Sequence, residues 1–176
     1  WLVKALEFRT VTFDYREFLE TKRWLTRARI LGAEAASGEL EKRRRLEDAW
    51  VEITQALGAL GPAIQPAERA LTNMLAAKVE VGLASLTHDP VALTRADSLL
   101  REAATVVTTT AFPIQNAELH RLHGCLFRIR WQVDASEADR ELAIHEFRTA
   151  AELVPKSEDP HFNRMIKQEM AFLQNR

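Results

Sequence analysis

The sequence is poor in the residues that staple or punctuate a chain. Its 176 residues include a single cysteine, Cys125, so no disulfide can form within the chain. Glycine and proline number 6 each, too few for a low-complexity linker or a collagen-like repeat. Neither sign of charge dominates: 24 Lys and Arg face 25 Asp and Glu, which argues against a protein that coats nucleic acid or an anionic membrane. No apolar run approaches the roughly 18 residues of a membrane span, and residues 1–9 lack the apolar stretch of a secretory signal. There is no Gly-rich phosphate loop, because the glycines at 32, 38, 58, 61, 82 and 124 are scattered.

What is present is core-forming material. Hydrophobic residues make up 47% and charged residues 28%, as expected of one globular domain spanning 1–176. The chain opens on Trp1 without a Met, and residues 1–11 read as the end of an upstream element. With no secretory signal or membrane span in these residues, a reducing, cytoplasmic setting is the default expectation.

The hydrophobic period is helical almost throughout. Segment 12–36 carries Phe13, Phe18, Leu19, Trp24, Leu25 and Leu31, with Asp14 and Glu17 in its first turn, and segment 39–57 stops at Gly58 and Gly61-Pro62. Pro66 opens segment 66–87, and Asp89-Pro90 pairs a capping residue with a first-turn proline for the next helix. Val106–Thr110 is rich in β-branched residues but has no partner strand, so it reads as a frayed helix end and loop before Pro113. Segments 114–133 and 137–154 follow, the second capped by Ser136 and ended by Pro155. Asp159-Pro160 launches an amphipathic last helix over 159–176 that reads as a cap or dimer face. The expectation is all-α, about seven helices, with hairpins over 12–61, 66–108 and 113–155.

The second helices repeat. Ala49, Ile53 and Ala56 match Ala96, Leu100 and Ala103, which match Ala143, Phe147 and Ala150, with 47 residues between successive sets. Gly61, Thr108 and Pro155 stand five positions beyond each set. In the third unit, Leu122-His123-Gly124 with Phe127 precedes Ala143, Phe147, Ala150 and Pro155.

These residues resemble the tetratricopeptide repeat (TPR) family, most closely over 66–176. Gly82 takes the place of Gly124 in the middle unit. The resemblance implies antiparallel hairpins stacked as a right-handed array, with first helices lining a concave groove that binds peptides or proteins. The family unit is about 34 residues against 47 here, so armadillo or HEAT-type arrays remain the rival architecture. Carried over residue by residue, the groove comprises Glu118, Arg121, Leu122, Cys125, Arg128 and Ile129 in the third unit. In the middle unit it comprises Ala76, Val79, Glu80, Leu83, Leu86 and Thr87. The expectation is that Arg121 and Arg128 clamp an acidic group beside an apolar strip.

Other chemistry is weaker. His120 and His123, with Cys125 and Glu118 nearby, have the residue types of a metal site, but Cys125 points away from His123 on a helix. Cys125 as a nucleophile has Arg121 and Arg128 one turn to either side but no arguable Cys-His pair. Lys42-Arg43-Arg44-Arg45 is flanked by Glu39, Glu41, Glu47 and Asp48 and reads as a salt-bridged face rather than a nucleic-acid surface. The sequence therefore points to a binding module or scaffold without enzymatic activity or cofactor, whose partner is a protein or peptide. Self-association is the alternative, and a metal or thiol enzyme ranks last.

Overall fold

The computed structural model describes residues 15–61, 65–154 and 159–174. Within them the chain is all-α, with seven helices and no strand. They pair in order: α1 (Tyr15–Glu34) with α2 (Glu39–Ala59), α3 (Pro66–Thr87) with α4 (Pro90–Ala104), and α5 (Pro113–Asp134) with α6 (Glu137–Leu153). The last helix, α7 (Pro160–Gln174), packs on α6 and α5. None of these helices is long and apolar enough to cross a membrane. Trp1, Phe8, Phe13, Asp14, Pro62 and Pro155 lie outside the described residues.

The helix ends follow local chemistry. Pro66, Pro90, Pro113 and Pro160 each occupy a first position, where the missing N–H costs no helical hydrogen bond. Asp89 accepts from the Val91 N–H at 2.9 Å, Ser136 from Asp139 at 3.3 Å, and Asp159 from Phe162 at 2.8 Å. Gly58 does not stop α2, which runs to Ala59 and closes with the Leu60 N–H on the Leu57 carbonyl. Val106 and Val107 turn back onto the Ala103 carbonyl and form no strand.

The paired helices are antiparallel. Lys22 reaches Glu52 and Gln55, while Arg29 reaches Asp48 and Arg45 reaches the Gly32 carbonyl. Asn73 bonds Glu102 and Glu80 bonds Arg95 across the second hairpin, and His120 meets Glu146 across the third. Between hairpins, α1, α3, α5 and α7 contact one another in series, whereas α2, α4 and α6 make no backbone approach to each other. The helices α1, α3, α5 and α7 thus lie side by side along one face of the molecule.

The 47-residue period is physical. Ala49, Ile53, Ala56 and their counterparts in α4 and α6 have no accessible surface, all nine of them. The register extends to Leu60, Val107 and Val154, all buried. Small residues let each second helix approach its partner while Ile53, Leu100 or Phe147 fills the space between, and each large side chain contributes about 1.5–3 kcal/mol by burial. The period also marks helix ends: α3 and α5 finish on His88 and Ala135, both left-handed at φ 54 and 53.

Candidate binding groove

The same period runs through the first helices, and it corrects the predicted groove. A Cβ on Gly124 would meet Phe147 of its own hairpin, whereas one on Gly82 would meet Leu46 of the preceding hairpin. The two glycines are therefore not equivalent. Ala77, 47 residues before Gly124 and without accessible surface, is the true counterpart. Every middle-unit assignment anchored on Gly82 shifts by five positions as a result.

The predicted middle-unit residues lie mostly outside the groove. Val79 has no accessible surface and packs in the core of the first two hairpins with Ala76, while Leu83 borders that core. Glu80 is also fully buried and holds Arg95 of α4 with two hydrogen bonds, at 2.5 and 3.1 Å, which raise the Arg95 pKa. Of the predicted middle-unit residues, Leu86 alone lines the groove. In the third unit Glu118, Arg121, Leu122, Cys125 and Arg128 all line it, and Ile129 is buried beneath.

The groove consists of two cavities lying end to end along α3, about 380 and 300 Å³, sharing Ile30, Lys78 and Leu122. Its floor on α3 is Leu71, Met74, Lys78, Val81 and Ser85, spaced three or four residues apart on one helical stripe. Arg27, Leu31 and Glu34 of α1 form one wall; Glu118, Cys125 and Arg128 of α5 form the other. Leu31, Lys78 and Cys125 are one 47-residue series, and Glu34, Val81 and Arg128 another. Leu31 is 63% exposed and Ile114 68%, so two large apolar side chains stand at the rim of the first cavity.

A chain of charge runs from the junction of the two cavities into the second. Lys78 Nζ lies 3.5 Å from Glu118, which receives two hydrogen bonds from Arg121 at 2.6 and 2.8 Å. Burial works against both charges, but their mutual hydrogen bonds and attraction prevail, holding Glu118 below its usual range and Arg121 above. Arg128 Nε sits 2.8 Å from Glu169 of α7 without aligning its N–H on the oxygen, an ion pair rather than a hydrogen bond. Its Nη1 donates to Gln132, and its guanidinium lies over Phe172. The predicted arginine clamp is thus satisfied from within the chain. Arg27 and Lys42 have no carboxylate partner among the described residues.

The remaining candidates are structural in their surroundings. Cys125 is buried, and its thiol is pushed up to about 11, chiefly by burial and only partly opposed by Arg121. His120 Nδ1 lies 2.7 Å from Glu146, and His123 stacks on Phe127. Among the described residues no three His, Cys, Asp or Glu converge as a metal site. Arg43 pairs with Glu47, and Arg44 and Arg45 with Glu41, leaving Lys42 turned to the groove. Neither a protein-family model nor a curated protein nor a solved structure matches this chain.

Proposed function

We propose that the chain is a protein–protein interaction module that binds a peptide or protein segment along the face formed by α1, α3, α5 and α7. The observation carrying this reading is the trough itself: an apolar floor over α3, with Leu31 and Ile114 exposed on opposite walls. Large apolar side chains held at the mouth of a concavity are a standing gain for any segment that covers them. The buried Cys125 and the internally satisfied histidine and arginines support binding rather than catalysis. We read the stack as a TPR-like right-handed array with unusually long units, working in the cytoplasm without cofactor, metal or nucleic acid.

A second copy of the chain is the competing occupant. Trp24, 59% exposed two turns before Leu31 on the same stripe of α1, favours it. The α7 stripe does not, because Phe162, Ile166 and Leu173 are buried against the chain's own helices.

Affinity capture from a source lysate tests the module, comparing wild type with a Leu31→Asp, Ile114→Asp variant. Both positions are exposed, so the variant keeps its helical circular dichroism. A partner held by wild type and lost by the variant supports the groove; equal capture by both removes the interaction from this face. Dimerisation lost in the variant would favour self-association.

A further inference from the structure

The geometry points to an acidic amphipathic helix of a partner protein as the occupant of the groove, with its apolar turns between Leu31 and Ile114 and its carboxylates on Lys78 and Lys42. This identification rests on the binding-module reading and narrows it to one ligand chemistry.

The shape favours a helix. From Leu71 to Ser85 the floor follows α3 for about 21 Å, the length of some 14 helical residues. It presents one side chain per turn, the complement of a ligand with anchors at i, i+3 or i+4, and i+7. Both α1 and α5 pack against α3 and not against each other, so the trough stays open in front of it. An extended peptide of the same length would be only about six residues. Over Leu71, Met74 and Leu75 it would leave backbone N–H and C=O groups facing an apolar floor, whereas a helix satisfies its own.

The charge favours acid. Arg27, Lys42, Lys78, Arg121 and Arg128 line the groove against the carboxylates of Glu34, Glu118 and Glu169, although the whole chain is at −1. Arg121 and Arg128 are consumed by Glu118 and Glu169. That leaves Arg27, exposed beside the first cavity, and Lys42 without a carboxylate, and Lys78 held only by a 3.5 Å contact, the two lysines half-buried around the second cavity. A carboxylate arriving there meets partly desolvated cations and competes only with the long Lys78–Glu118 contact. The exposed apolar lips of the first cavity and the half-buried lysines of the second set the register of the ligand: apolar turns first, acidic turns next.

A display library of helical peptides randomised on one face, selected on the purified full chain, tests this. The expected winners carry apolar residues at three- and four-residue spacing and a net negative charge. Their affinity, read by fluorescence anisotropy, weakens at least tenfold for Lys42→Glu, Lys78→Met and more for Leu31→Asp, Ile114→Asp, with both variants verified as folded. Neutral or basic winners, or equal binding by the lysine variant, overturn the proposal. Winners without helical period that are nonetheless lost with Leu31→Asp, Ile114→Asp overturn the helix but keep the groove. No enrichment overturns both.

Discussion

The Phe147 ring lies where a side chain on Gly124 would begin: a Cβ there would sit 2.7 Å from Cε1 and 2.8 Å from Cδ1. Phe147 has no accessible surface and cannot swing away, so the glycine is what lets α5 and α6 close.

Gly124→Ala should therefore destabilise the fold, although alanine is the better helix former by about 1 kcal/mol. Overpacking of about 1–3 kcal/mol outweighs that gain and lowers the urea midpoint. Gly58→Ala is the control: a Cβ added there would meet nothing within 4 Å, and the Gly58 φ is not positive. It should stabilise by about 0.5–1 kcal/mol. Loss at both positions would show that the close approach to Phe147 is not what distinguishes them.

Ile53→Ala, Leu100→Ala and Phe147→Ala probe one position in three repeats. Each empties a site with no accessible surface, and each should cost about 2–5 kcal/mol in denaturant unfolding. A near-neutral result at any one would break the 47-residue equivalence at that unit.

The architecture was legible because the second helices announce themselves. A buried interface with small residues at fixed offsets leaves the same mark in sequence as in structure, and Ala49, Ala96 and Ala143 carry it. The first helices were misread for a physical reason: a glycine says that something comes close, not what. Gly82 and Gly124 look alike in sequence, yet one receives Leu46 from the hairpin before and the other Phe147 from its own. The internal pairing of Arg121 and Arg128 was legible only in part. Glu118, three residues from Arg121, was visible as a partner, whereas Glu169 reaches Arg128 only through the packing of α7 on α5. Leu31 and Ile114 leave no sequence signal as rim residues, because exposure of an apolar side chain is known only once its neighbours are placed.

Cys125 should be inert in the native chain. With its thiol held at about 11, it is protonated at pH 8, and burial denies access to reagent. Ellman's reagent at that pH should titrate no thiol in the folded protein and one in urea. Rapid reaction of the folded protein would mean that the α5 wall of the groove opens readily.

The stability of the third hairpin should fall in mild acid. Burial lowers the His123 pKa in the folded chain, with His120 adding to the effect and Glu146 opposing it. The unfolded chain takes up this proton near its ordinary pKa of about 6.5, before the folded chain does. The contribution is thus complete above that pH and is lost as pH falls toward the lowered folded value. The urea midpoint of wild type should drop between pH 7.5 and 5.5, and that of His123→Gln should drop less. Equal drops would assign the titration to another group.

Removing α7 should leave an aggregating chain. Phe162, Ile166 and Leu173 cover apolar surface on α5 and α6, and an uncovered terminal hairpin is poorly soluble in a stacked array. Truncation also takes away the Leu173 carbonyl that Arg140 grips at 2.8 and 2.9 Å, and the Glu169 carboxylate beside Arg128. Two half-buried guanidinium groups would keep only Gln132 and Glu137 as partners, a cost added to the lost apolar contact. Ile166→Asp in the full chain tests the same face without deletion, and should lower the melting temperature and promote association. If the chain ending at residue 158 stays monomeric in light scattering with an unchanged melting temperature, α7 is an accessory helix and the array closes without it.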